Sequence, residues 1–289
     1  MSVTSPQLAA HSAAGGLPSP TKTPHGLLHS LRRHRHLISQ LTRRDALGRY
    51  RGSYLGVFWS FLNPLFLLLI FTFVFKLIFK SKFTGRADET PADFALQLFA
   101  GLVIFNVFAE CISRAPTLIL NNVNYVTKVI FPLEILPVTL VLSSLFHLFI
   151  SLLPLAVAML AVRGHIPLLA LQWPALLVPV TCFALGVSWI MAALGVFLRD
   201  LSQVALALTN LLMYASAVFY PISRVPASVA PLIRLNPLAF LCEESRNVFV
   251  WGERLDWVRY GWVTAAGIFF MWSGYALFLR VKHAFADVL

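Results

Sequence analysis

The side chains able to do chemistry are few, and they sit beside apolar runs. Glu110 falls near the end of one long apolar stretch, and Glu134 opens another that carries His147 inside it. Ionisable groups at membrane depth are functional candidates by default. Both acids lie close to an expected interface, however, which favours a solvated or salt-bridged role. The lone histidine is expected to hydrogen-bond a neighbouring helix. Glu243, Glu244 and Arg246 share a short helical patch where pairing within the helix is the expectation, and Arg199-Asp200 marks a tight hairpin. Arg43, Arg44, Arg49 and Arg51 crowd against an apolar run that begins at Ser53. These spacings form no paired intramembrane carboxylates, no His/Asp cluster and no serine elbow, so no reactive constellation emerges. The pattern G-x-x-x-x-G-K-[ST] is missing from the sequence, so any ATP used for work is bound by another polypeptide and none by this chain. Cys111, Cys182 and Cys242 are isolated in or beside apolar stretches and have no metal-ligand spacing; they read as small buried hydrophobes.

The elements that must position these residues follow from composition. The chain has 289 residues, 58% hydrophobic and 12% charged, against roughly 25% charged in soluble domains. That excludes an ordinary soluble fold and indicates an all-α membrane protein. The net charge of +11 serves topology and anionic headgroups rather than nucleic acid. A bilayer core takes about 20 mostly apolar residues to cross. Six stretches meet this: 53–75, 94–113, 135–162, 173–198, 201–223 and 260–279. Six spans put both termini on one side, and the basic cluster before the first makes that side cytoplasmic. Residues 1–26, rich in Ser, Thr, Pro, Ala and Gly, lack the apolar core of a signal peptide and read as a disordered tail. Residues 27–51 read as a basic amphipathic helix lying in the interface. Two connections are unusual. Residues 121–131 form a short helix-like patch on the cytoplasmic side. Residues 224–257 read as two short amphipathic pieces split by Asn236-Pro237, too short to cross, and are expected as re-entrant helices on the outer side. No internal repeat is visible, which weakens an inverted-repeat transporter. Pro64 lies inside the first span and removes the amide that would bond the Ser60 carbonyl. Aromatic residues make up 13% of the chain. Any one of them is either part of an interfacial belt or a flat face on which a sugar ring can slide.

The segment "RYRGSYLGVFWSFLNPLF", with Arg49, Tyr50, Ser53, Leu55, Gly56, Trp59 and Pro64, resembles the start of the first span in permeases of polysaccharide ABC exporters. "NNVNYVTKVIFPLEILPV" and "FYPISRVP" followed by "LNPLAFLCEESRNVFVWG" are similar to two further segments of that family, in matching order. O-antigen and teichoic-acid export permeases are the nearest in pattern. The resemblance implies a type-2 ABC exporter fold in the bacterial inner membrane. It also implies a channel made with a second copy of the chain and two ATPase subunits that hold ATP and magnesium. The implied substrate is a polyprenyl-pyrophosphate-linked glycan. The resemblance places the pyrophosphate at Arg49 and Arg51, with Arg43 and Arg44 behind them; guanidinium forks match phosphate oxygens. It makes 121–131 a coupling helix in which Asn121, Asn122, Tyr125 and Lys128 meet the ATPase. It makes 224–257 a gate carrying Arg224, Asn236, Glu243, Glu244 and Arg246. Tyr54, Trp59, Phe66 and Tyr220 are the candidates to line the sugar path. Two other readings stand beside this one: a membrane-embedded glycan enzyme, which needs acids converging at one depth, and an export permease for a small lipid or drug.

Overall fold

The computed structural model describes residues 24–48, 54–78, 83–84, 86, 89–127 and 131–288, and every regular element among them is helical. Arg49, Arg51 and Lys128 lie outside the described residues, as does the expected tail up to residue 23. Helix α1 (Pro24–Arg33) already takes in the end of that tail, and α2 (Arg35–Gly48) continues it past a turn at His34. Leu27, Ile38 and Leu41 are buried while Arg32, Arg33, Arg43 and Arg44 stay exposed, the split an amphipathic helix requires.

Among the described residues, four helical stretches are long and apolar enough to cross a membrane: Ala92–Thr117, Ile135–Arg163, Leu168–Phe197 and Trp257–Ala284. Their α-helical parts are α4 (Pro91–Arg114), α6 (Ile135–Arg163), α7 (Leu177–Phe197) and α11 (Trp257–Val281). Two shorter apolar helices join them, α3 (Trp59–Thr72), prolonged by a wide turn over Phe73–Ile78, and α8 (Leu201–Ala215). The remaining helices are short: α5 (Val123–Thr127), α9 (Ala230–Leu235), α10 (Pro237–Arg246) and α12 (Phe285–Val288). The apolar run expected to be helical over 201–223 stops being so at Ala215. The chain then turns through Ala217, whose φ of 52° is left-handed, a conformation that costs a non-glycine residue about 1–3 kcal/mol.

Helix α4 is the central pillar. Of its apolar window 83% is buried inside the protein, against 22% for α6 and 28% for α11, which therefore present most of their surface outward. Its start is fixed by a reciprocal cap: the Thr90 amide donates to Asp93 Oδ2 at 2.7 Å while the Thr90 hydroxyl accepts from the Asp93 amide. Ion pairs define the two ends of the bundle. Asp45–Arg114 and Glu134–Lys282 gather α2, the end of α4, the start of α6 and the end of α11 at what we call the near end. Asp93–Arg163 and Arg86–Glu253 mark the far end.

Helices α7 and α11 cross in close contact because glycines face each other. A Cβ on Gly274 would stand 2.5 Å from the Gly186 carbonyl oxygen; elsewhere on α7, where it passes the segment after α4, one on Gly195 would stand 2.0 Å from the Pro116 carbonyl oxygen. Backbone cannot yield as a flexible side chain does. Gly274→Ala is therefore expected to push α11 off α7 and lower the melting temperature in detergent. Gly261→Ala, with open space around it, is expected to melt with the wild type. A Gly274→Ala protein as stable as wild type would show that the crossing is not this tight.

Candidate functional site

At the near end, α2 is tied to the pillar by charge. Arg114 donates through Nη2 to Asp45 Oδ1 at 2.6 Å and through Nη1 to Asp45 Oδ2 at 3.1 Å, and Nη1 also reaches Glu110 Oε1 at 2.8 Å. One residue earlier, Arg44 donates to the Tyr125 hydroxyl at 3.3 Å, so α2 also touches α5. The Tyr125 ring stacks on Phe131 with centroids 4.4 Å apart. Asn122 bonds the Leu118 carbonyl of its own segment at 2.8 Å, and Asn121 is exposed. Arg43 and Arg44 line an open hollow of about 400 Å³ with Gln40 and Leu47.

Beside it, α3, α4, α6 and α8 border an open cavity of about 440 Å³. Helix α3 brings Ser60, Asn63 and Pro64 to it; α4 brings Asn106, Glu110 and Ser113; α6 brings Ser144, His147 and Ser151; α8 brings Thr209. These helices are otherwise among the most apolar in the chain, so a polar wall here is a deliberate contrast. Most of the hydroxyls donate to carbonyls of their own helix: Ser144 to Leu140 at 3.1 Å, Ser151 to His147 at 2.9 Å and Thr209 to Ala205 at 2.8 Å. Their remaining lone pairs are acceptors. The exposed amides of Asn63 and Asn106 supply both donors and acceptors. Such a surface suits a ligand made of hydroxyl groups.

At the far end, Arg246 on α10 is 2% exposed. The sequence suggests that it pairs with Glu243 or Glu244 on its own helix. Instead its Nε donates to the Gln97 carbonyl at 2.9 Å and its Nη2 to the carbonyls of Ala217 at 2.8 Å and Val218 at 2.6 Å. The guanidinium lies 4.8 Å above the Phe83 ring. The reason is topological: α10 packs on α4, and only there do the carbonyls freed by the break after α8 converge on it. Burial pushes the Glu243 carboxyl up, against the pull of the Arg246, Arg259 and Arg234 guanidiniums. Glu244 accepts from the Asp256 amide at 3.4 Å. Asn236 caps α10 through the Leu238 amide at 2.9 Å and donates to the Ala215 carbonyl at 3.1 Å, binding the cap to the end of α8. Gln97 ties the rest together, donating to Glu89 Oε1 at 2.8 Å and accepting from Trp251 Nε1 at 3.1 Å. Arg86 and Arg163 lie over the Trp251 ring at 4.4 and 4.1 Å.

Residues 36–250 match the ABC-2 type transporter family. The chain belongs to that family. It is similar to O-antigen export system permease protein RfbA of Klebsiella pneumoniae, 28% identical over 88% of this chain and 95% of the relative. To the protein of the same name from Myxococcus xanthus it is 27% identical, over 90% and 98% of the two chains. To the polysialic acid transport protein KpsM of Escherichia coli it is 23% identical, over 86% and 94%.

In this ABC-2 transporter chain the aromatic candidates for the path do not converge. Tyr54 is fully exposed, Phe66 about half exposed and Trp59 partly so, all outside the polar cavity. Tyr220 stands at the far end, where its hydroxyl donates to the Tyr214 carbonyl and its ring lines a hollow with the exposed Arg224. The cavity wall, by contrast, has a sequence signal: Asn63 and Asn106 are amides set inside apolar runs. Only the bundle shows that they face one space.

The Asp45–Arg114–Glu110 chain carries a prediction of its own. Its members are about one-third exposed at Asp45 and Arg114, so the paired fork is expected to contribute about 1 kcal/mol. Arg114→Leu is expected to loosen α2 from α4. Adding Asp45→Asn should then cost little more, because the bond is already gone. Strictly additive losses in thermal stability would show that the two residues act independently.

Proposed function

We propose that the chain is the channel-forming permease subunit of an ATP-driven exporter that moves polyprenyl-pyrophosphate-linked polysaccharide across the bacterial inner membrane. Two copies form the path and two separate ATPase subunits drive it. The observation that carries this reading is the hydroxyl- and amide-lined cavity among four apolar helices, joined to relatives named for O-antigen export and polysialic acid transport. Sugar hydroxyls leaving water need donors and acceptors at membrane depth, and this wall supplies both.

The near end is the cytoplasmic one in this reading, and the six apolar helices are six spans. Arg49 and Arg51, with Arg43 and Arg44 behind them, meet the pyrophosphate. The segment 121–131 couples to the ATPase through Asn121, Asn122, Tyr125 and Lys128, and α2 lies beside it. The segment 224–257 closes the outer side as re-entrant gate helices. Within it Arg224 stands toward solvent, while Asn236 and Arg246 hold the gate to α8 and α4.

Deletion of the gene is expected to leave long lipid-linked polymer inside the cell and to remove it from the surface. Surface polymer at wild-type level in the deletion strain would overturn the reading. Arg43→Gln with Arg44→Gln is expected to lower export about tenfold or more at matched protein level, since charged hydrogen bonds to phosphate contribute about 1.5–3 kcal/mol each. Export unchanged in this variant would leave the two arginines as anchors to lipid only.

A further inference from the structure

Glu134 is where the segment 121–131 meets the bundle. The Tyr125 ring stacks on Phe131. The amides of Ile135 and Leu136 donate to the carbonyls of Pro132 and Leu133 at 3.0 and 3.1 Å, so a bonded turn joins Phe131 to α6 without slack. Glu134 stands in that turn and is 4% exposed. Its carboxylate accepts from Lys282 Nζ, just past α11, at 2.9 Å. Its backbone carbonyl accepts from Trp189 Nε1 of α7 at 3.1 Å. The Trp189 ring packs on Tyr275 of α11 with centroids 5.1 Å apart, and both side chains are fully buried. The Tyr275 hydroxyl is enclosed there with no hydrogen-bond partner among the described residues, and it lies within electrostatic reach of the Glu134 carboxylate. A buried hydroxyl without a partner is destabilising, and native proteins keep few of them.

We propose that Tyr275 is the second partner of Glu134: the carboxylate exchanges Lys282 for the Tyr275 hydroxyl when the segment 121–131 is displaced, and so carries the displacement into α6. This rests on the coupling reading of 121–131 and assigns the positioning residue inside the bundle that responds to it. Tyr275 precedes Lys282 by about two helical turns on one face of α11. The exchange therefore draws Glu134 and the start of α6 further into the bundle. Helices α7 and α11, in close contact at Gly186 and Gly274, are the frame against which α6 moves. Helix α6 carries Ser144, His147 and Ser151 on the polar cavity, so its shift re-registers that wall. A carboxylate with two alternative donors, one of them idle in this state, is the two-state element that such coupling requires.

The test is Tyr275→Phe, which removes the hydroxyl and no hydrogen bond made in this state. The variant is expected to melt in detergent no lower than the wild type. Two quantities are then compared: surface polymer in the deletion strain complemented at matched protein level, and ATP turnover of the complex purified with its ATPase subunits. Polymer exported per ATP hydrolysed is expected to fall about tenfold, as for one lost hydrogen bond to a charged group. A tyrosine that only fills space would leave that ratio unchanged, so a wild-type ratio overturns the inference. A second arm is independent of export. Lys282→Met leaves Tyr275 as the remaining donor for the Glu134 carboxylate, so adding Tyr275→Phe in that background is expected to lower the melting temperature by about 3 °C. An equal effect of Tyr275→Phe in the two backgrounds overturns the exchange. If instead Asn122→Ala with Tyr125→Ala keeps the wild-type ratio of export to ATP turnover, the coupling reading itself fails, and this inference falls with it.

Discussion

Arg246→Leu is expected to unfasten the far end of the protein. The side chain is buried with its guanidinium on three carbonyls, two of them in the irregular stretch after α8. Leucine fills part of the space but offers no donor. The carbonyls of Ala217 and Val218 are then left inside the protein at about 1–3 kcal/mol each, and the left-handed turn at Ala217 loses the contact that holds it. A combined loss of about 3 kcal/mol is a large fraction of a typical 5–15 kcal/mol stability. It should lower the melting temperature in detergent by about 6 °C or more. Arg246→Lys keeps the charge but not the fork, so it is expected to restore only part of the loss. Glu243→Gln is the contrasting case. If Arg246 depended on an ion pair within α10, this change would be as harmful; bonded to carbonyls, Arg246 should tolerate it with a change of about 0.5 kcal/mol or less. An Arg246→Leu protein that melts with the wild type would remove the arginine from the support of this cap.

Asn63→Leu combined with Asn106→Leu is expected to lower export of surface polymer at least about tenfold at matched protein level, with assembly and ATP turnover retained. The two amides are exposed groups in the cavity lining that offer both donors and acceptors. Leucine is close in size to asparagine, so the wall keeps its shape while losing its hydrogen bonds. A sugar hydroxyl that passes without a partner loses about 1–3 kcal/mol, and 1.4 kcal/mol is a factor of ten in rate. Ser151→Ala is expected to be milder, about threefold or less, because that hydroxyl already donates to the His147 carbonyl. Export at wild-type level in the double variant would take the cavity off the path.

Much of the fold was legible from local chemistry. Apolar length located α4, α6, α7 and α11. The Asn236-Pro237 pair divides α9 from α10 because proline cannot continue the preceding helix and asparagine caps the next. The exposed arginines and buried Ile38 and Leu41 of α2 follow from helical period. Less legible was where helices stop inside an apolar run. Hydropathy continues past Ala215 toward residue 223, yet the helix ends, and the carbonyls that the break frees are bonded by Arg246 from a segment some thirty residues later. Periodicity within one helix carries no information about such a partner.

The candidate site divides in the same way. The acids near the helix ends were expected to be solvated or salt-bridged, and they form salt bridges: Glu110 with Arg114 and Glu134 with Lys282. Arg246 was expected to pair with its neighbours on α10, and there three-dimensional packing overrode an i,i+3 rule worth only about 0.2–0.5 kcal/mol. The sequence by itself determined that the chain is a helical membrane protein with basic residues at one end and no ATP-binding motif. Composition, helix period and residue type act locally and need no partner. The tertiary structure alone decided that Asn63, Asn106, His147 and Thr209, from four different helices, line one polar cavity. It alone decided that Arg246 is a buried clamp rather than a surface ion pair. Both depend on which helix faces are brought together, and that is settled by close packing across the bundle, down to the glycines where α7 meets α11.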